Sequence, residues 1–339
     1  MPAPIETDLT VRVVTSESGF SHLQAAWEQM VSASSVSPFQ SYQWVRAWWH
    51  LVGSKSGLHD LEILVVERHG VVRGLAPLML ERGAKTLRFL GDPWADYLDV
   101  VIDSSEDAFS VSTALVGALK TGMTSGRYRS IVLDELPEHS SIVAVARADA
   151  QLRNRIEDAS VCPILSLEGA AYDLAVGKRE YLIKRRRLRR MGQLECHVHT
   201  DPDAIAKRVN AFMQMHLRQW FGREDRGLSF DDHVMRRFYR NSIGPLGRAG
   251  LITLFELRLD DKPIGFYYGY LNCSCFFGYR PTHDTGLNRF SPGGIMHLEI
   301  FEWLWSKGFK TFDFMRGDMA YKWRYASDHV TNQRVIWTS

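Results

Sequence analysis

Apolar residues recur at intervals of three and four at Phe20, Leu23, Trp27 and Met30, which predicts a helix over residues 19–30. A second helix follows the break at Ser37-Pro38-Phe39-Gln40-Ser41 and carries Trp44, Val45, Trp48 and Trp49, at a spacing that suits a core face. The period then shortens. Residues 61–66 and 71–80 read as two strands joined by His69-Gly70, a hairpin signal. A strand at 86–90 leads through Gly91-Asp92-Pro93-Trp94-Ala95-Asp96-Tyr97-Leu98-Asp99 to another at 100–102, followed by a helix over 106–123 and a strand over 130–133.

The same order returns further along. Strands at 251–259 and 262–271 flank Asp260-Asp261, a third strand spans 273–279, a helix starts at Pro292, and a strand spans 310–315 after Gly308. A shift of 191 residues lays Gly265 on Gly74 and this turn on His69-Gly70. Two copies of one α/β fold, residues 1–160 and 161–339, are the simplest account. Between the hairpins, residues 178–190 hold eight basic positions, with Tyr181, Leu188 and Met191 on one narrow stripe, so a helix with one docked edge is expected. Asp201-Pro202 starts a helix with Ile205, Val209, Phe212, His216 and Trp220 on one face. Another runs over 230–239, started by Asp231 or Asp232 and stopped near Gly244-Pro245.

Composition adds bounds. A net charge of +2 means that affinity for a polyanion must come from a local cluster, and the 178–190 run is that cluster; a solvated face is its plainer reading. No apolar run approaches the roughly 18 to 20 residues of a membrane span, and the first ten residues lack the basic start and apolar core of a secretory signal. Cys162, Cys196, Cys273 and Cys275 form no metal framework; Cys273 and Cys275 fall on one face of a strand, and reduced thiols in a cytoplasmic protein are expected, without a metal.

The chemistry begins at Ser291-Pro292-Gly293-Gly294. Serine can cap a helix, proline fits the first helical position, and two glycines leave the first-turn amides open to a phosphate. A tight turn without ligand is the alternative reading. His216 lies on an apolar stripe with Trp220, where a satisfied core histidine is the usual outcome.

Taken in order, Pro38-Phe39-Gln40-Ser41 with Trp44, Ala76-Pro77-Leu78, Asp96-Tyr97-Leu98-Asp99, the arginine-rich helix, His216 with Trp220, Pro263-Ile264-Gly265, Ser291-Pro292-Gly293 and Asp313-Phe314 through Gly317-Asp318 to Tyr321-Lys322 resemble the GNAT acetyltransferase superfamily. The resemblance is to the branch of the cellulose-biosynthesis CelD proteins, related to the FemAB aminoacyltransferases. It implies a tandem pair of GNAT-like domains, each a mixed, mainly antiparallel sheet flanked by helices, and an acyl group moved from coenzyme A to an amine or hydroxyl of a small or envelope-related acceptor.

The family's pyrophosphate loop is replaced here by Asn288-Arg289-Phe290-Ser291-Pro292-Gly293-Gly294, so aminoacyl-tRNA, held by the basic helix, is the alternative donor. A polyanion-binding module without catalysis is a third reading. The resemblance assigns Tyr321 to protonating the leaving group. Asp318 would accept the acceptor's proton directly or through water, and Lys322 and Arg316 would bind phosphate or the oxyanion. Tyr279, at a strand end, joins the catalytic set. Ser291, Gly293, Gly294, Arg316 and Arg186 are assigned to the donor, and Asp96, Tyr97, Asp99, His216 and Trp220 to the acceptor.

Overall fold

The computed structural model describes residues 8–32, 36–220 and 230–338. The chain divides into two compact units, Met1–Ser160 with Thr331–Ser339, and Val161–Val330.

The first unit runs β1 (Leu9–Val14), α1 (Glu17–His22), α2 (Gln24–Ser32), α3 (Tyr42–Leu51), β2 (His59–Leu61), β3 (Ile63–Arg68), β4 (Val71–Ala76), β5 (Leu78–Glu81), β6 (Thr86–Phe89), β7 (Val101–Ile102), α4 (Ala108–Thr124), β8 (Ser130–Pro137) and α5 (Ser141–Ala148), then enters β9 (Ile156–Ser166). The helix expected over 19–30 is two helices meeting at Leu23, and the strand expected over 71–80 breaks at Pro77. Proline has no N–H for a ladder, so the hairpin divides here. β3 and β4 join β1 and β7 in one sheet, while β5 pairs with β2 and β6, and β6 lies parallel to β8. Glu62, between β2 and β3, is buried at this fork and accepts from Arg127 and Tyr128.

The second unit runs from the end of β9 through α6 (Gly169–Val176), α7 (Arg179–Arg189), β10 (Leu194–His199), α8 (Pro202–Trp220), α9 (His233–Arg248), β11 (Ile252–Leu259), β12 (Lys262–Leu271), β13 (Cys275–His283), α10 (Pro292–Ser306), β14 (Thr311–Asp313) and α11 (Ala320–Trp323) into β15 (Asp328–Thr338). β10 to β13 form an antiparallel ribbon, β14 joins β13 in parallel, and β9 closes antiparallel on β14. Three expectations need correction. Asn272 accepts from the amides of Ser274 and Cys275, so residues 272–274 turn; Cys273 is exposed outside the strand and shares no face with Cys275. α9 continues past Gly244-Pro245 to Arg248, although Pro245 lacks the N–H for its i−4 carbonyl, because Ile243, Leu246 and Gly247 are buried. Met191 is 49% exposed rather than docked beside Tyr181 and Leu188.

The units are two versions of one design. His69 and Asp260 both adopt left-handed φ in the hairpin turns, at 52° and 53°. Both hairpins change register at equivalent places, Val66/Glu67 and Leu257/Arg258. A Cβ on Gly74 would stand 2.6 Å from Val111 of α4, and one on Gly265 would stand 2.6 Å from Met296 of α10. Each glycine lets the following helix close on its sheet.

Candidate active site

The second unit opens where β13 and β14 part. Their parallel pairing covers Cys275↔Thr311, Phe276↔Phe312 and Phe277↔Asp313, and then stops. β13 goes on to His283 against β12, while the chain after β14 turns away through Phe314 to Asp318. At the parting stands Gly278, where a Cβ would meet the Tyr267 hydroxyl at 2.7 Å and the Phe312 ring at 2.8 Å. The Tyr267 hydroxyl is buried there without a hydrogen-bond partner.

The turn after β14 is held by its own backbone. Asp313 is buried and accepts from the Met315 amide at 2.6 Å; Met315 takes a left-handed φ of 61°, and Gly317 takes 112°. Lys322 is 2% exposed, and its ammonium donates to the carbonyls of Met315 (2.8 Å) and Arg316 (2.7 Å). The lysine therefore braces the loop that carries Arg316. Asp318 is exposed and accepts from the Trp323 indole; Met319, not Asp318, holds the N-cap position of α11. Trp323 and Tyr321 are two residues apart on the helix, roughly 200° in projection, so Asp318 reaches toward the side of α11 away from Tyr321.

Tyr321 turns inward, its ring 5.9 Å from that of His297 on α10. Burial holds the phenol above its usual range. His297 was not singled out by the sequence reading, although it is a histidine in an apolar helix one turn after Gly293. Its ring lies 5.5 Å from Tyr267 and 5.0 Å from Tyr325. Its nitrogens lack a well-formed hydrogen bond, and burial lowers its pKa to about 4. The imidazole is therefore neutral near pH 7.

The start of α10 differs from the serine-capped turn that was expected. Ser291 has a left-handed φ of 51° and gives α10 no side-chain cap, because its hydroxyl accepts from Lys184 of α7 at 2.7 Å. The two glycines also have a packing reason. A Cβ on Gly294 would stand 2.2 Å from the Tyr181 ring, and one on Gly293 would stand 3.3 Å from His283. Tyr181 also borders a cleft of about 480 Å³ lined by Lys178, Arg179, Glu180 and Arg324. Arg324 donates to the Tyr181 hydroxyl at 3.1 Å, and Lys178 stands over the Tyr325 ring. Arg186 is exposed on the outward face of α7; Lys184 and Tyr181 reach the start of α10, and Arg185 and Arg189 reach its glutamates.

The remaining site candidates lie elsewhere. Tyr279 is inside β13 rather than at its end, with its ring against Tyr270. His216 is packed among Phe212, Trp220 and Phe230; burial, helped by Arg280, lowers its pKa to about 3. Consecutive strand residues face opposite ways. Phe212 stacks on Tyr268 and His297 packs on Tyr267, so His216 with Trp220 occupies the sheet face opposite His297 and Tyr321. Asp96, Tyr97 and Asp99 belong to the first unit. Asp96 and Tyr97 are buried, and the Asp96 carbonyl accepts from Asn332. Asp99 accepts from Ser140 at 2.8 Å, and burial raises its carboxyl to about 7. Among the described residues no group of side chains could hold a metal ion, and no described helix is long and apolar enough to cross a membrane.

Residues 177–323 match the family model described as an acetyltransferase (GNAT) domain. Among solved structures, FemX is similar at 12% identity with a TM-score of 0.62, covering 97% of each chain. The C-terminal domain of a putative lysylphosphatidylglycerol synthetase from Agrobacterium fabrum is similar at 13% identity and a TM-score of 0.58, with 93% of this chain and 92% of that one covered. L-PGS from Bacillus licheniformis is similar at 11% and 0.54, over 87% and 90%. Comparison with curated protein sequences gives no match. The matched stretch encloses β13, α10, β14 and α11, so residues 177–323 are similar to a GNAT acetyltransferase domain, and the chain as a whole shares its fold with FemX.

Proposed function

We propose that the protein transfers an acyl group from acyl-coenzyme A to an amine or hydroxyl of a small or envelope-related acceptor. The observation that carries this reading is the parting of β13 from β14 beside the uncapped start of α10. In this reading the donor's phosphates meet the amides of Gly293 and Gly294 with Ser291 and Lys184, and its thioester enters the parting at Gly278. The acceptor nitrogen attacks the carbonyl carbon, the C–S bond breaks, and the acceptor's proton leaves to water. Tyr321 donates to the departing sulfur. Lys322 holds the Met315–Arg316 carbonyls in place, and Arg316 faces the donor from that loop.

Titration calorimetry with acetyl-CoA and longer acyl-CoAs is the test: binding is expected, and no binding of any of them overturns the reading. Tyr321→Phe should lower transfer by about 10²- to 10⁴-fold while leaving donor binding intact.

One observation favours a second donor, aminoacyl-tRNA. A phenol held above its ordinary range gives up its proton more readily to an alkoxide than to a thiolate, whose pKa is near 8.5 for a simple thiol. Transfer of a labelled amino acid from charged tRNA, in a protein that ignores acyl-CoA, would establish that reading in place of the first.

A further inference from the structure

The basic residues of α7 divide cleanly by direction. Lys184 is engaged with Glu180 and Ser291, Arg185 with Glu299 and Glu302, and Arg189 with Glu299. Arg179, Arg186, Arg187 and Arg190 are exposed and have no carboxylate within ion-pair distance among the described residues. Projected down the helix, these four arginines and Ile183 fall within about 100° of one another, along roughly 16 Å. Tyr181 and Leu188 occupy the opposite side. Like charges three and four residues apart repel, so the stripe is unfavourable until an anion meets it.

Apolar side chains also stand in water on α7 and on the helices that pack with it. Ile183, inside the stripe, is 38% exposed, and Met191, just beyond it, is 49% exposed. On the two helices packed together beside α7, Leu174 of α6 is 73% exposed and Trp305 of α10 is 57% exposed, stacked on Tyr172. A nucleic acid would leave these aliphatic groups against phosphate, and the arginine row contains no exposed aromatic ring for a base. A surface with a phosphate layer above an apolar one satisfies both kinds of residue.

We propose that the outward face of α7 docks the protein on an anionic phospholipid surface, with Arg179, Arg186, Arg187 and Arg190 on headgroup phosphates and Ile183, Met191, Leu174 and Trp305 at the acyl boundary. The surface is independent of a donor bound at the start of α10, whereas a tRNA held along α7 would compete for it.

The test is co-sedimentation of the full chain with vesicles of phosphatidylcholine alone and of phosphatidylcholine mixed with phosphatidylglycerol. Binding to the mixed vesicles alone is expected, and it should weaken as salt rises. Each of Arg187→Gln and Arg190→Gln should lower the affinity about fivefold, with an unchanged melting temperature showing that the fold is intact. Leu174→Ser with Trp305→Ser should weaken the binding that survives high salt. Equal binding to both vesicles, no binding to either, or no effect of the arginine variants overturns the proposal. So does arginine-dependent binding of polyuridylate by a protein that ignores vesicles. Acetyl-CoA titrated into the same variants reports separately on the donor site.

Discussion

Arg185 and Arg187 stand two residues apart in the same basic run, yet the structure assigns them opposite consequences. The Arg185 side chain is 14% exposed and meets Glu299, itself 16% exposed, at 3.3 Å and Glu302 at 2.9 Å. Burial already pushes the Glu299 carboxyl above its usual range, and Arg185 is the first of the groups that pull it back. Replacing Arg185 by methionine keeps the aliphatic stem and strands that carboxylate. Removing one partner of a fully buried pair costs about 3–5 kcal/mol; with Glu302 42% exposed and Arg189 still near Glu299, about 2 kcal/mol is expected. Arg187→Met touches no partner and should stay within about 0.5 kcal/mol.

The cost in Arg185→Met also depends on pH. A carboxyl whose folded pKa is raised contributes stability fully below its unfolded pKa and loses it as pH rises through the folded value. Without Arg185 the folded pKa climbs further, so the deficit should be larger at pH 8 than at pH 5. Urea unfolding of the two variants at both values measures this, and equal stability of Arg185→Met and Arg187→Met would refute the division of the helix.

Two further outcomes follow from the second unit. Gly294→Ala drives a methyl into the Tyr181 ring and should cost about 1–3 kcal/mol, whereas Gly293→Ala faces a milder contact at 3.3 Å from His283; thermal melts that rank them the other way would reject the packing account of these glycines. His216 and His297 are held neutral in the fold, with pKa values of about 3 and about 4. Their folded values are depressed, so stability is present above the unfolded pKa near 6.5 and is lost as pH falls toward 4. His297→Phe should flatten that fall in a denaturation series, and an unchanged slope would show that the imidazole is charged in the folded protein.

The hairpins, with their turns and following helices, were legible because each announces itself locally: His69-Gly70 and Asp260-Asp261 need turn conformations, and Gly74 and Gly265 need a missing Cβ. β9, β10 and β15 were not, because polar residues such as Glu157, Asp158, His197 and Gln333 blur any alternation, and long-range pairing alone makes these segments strands. Tyr321 was named from order along the chain, and the structure sets its ring beside His297. What no spacing could reveal was direction: that Lys322 turns back onto two carbonyls, that Asp318 turns to Trp323, and that His216 and His297 face opposite sides of one sheet. The basic helix illustrates the limit best, since eight like residues in one run carry no mark of which will find a carboxylate on α10.

The strand pairing of the first unit has a consequence for biosynthesis. β8 is paired along Ser130–Pro137 by residues 332–338, and Asn332 reaches the Asp96 carbonyl across 236 positions of the chain. At translation rates of about 5–20 residues per second, β8 waits on the order of ten seconds or more for its neighbour to leave the ribosome. Through that interval the nascent first unit carries an open sheet edge and an unsatisfied buried carbonyl, the kind of edge that chaperones cover and that invites pairing with the wrong chain. A fragment ending at Ser160 would keep that state permanently, so separate expression of the two units calls for a circular permutation that returns residues 331–338 to β8.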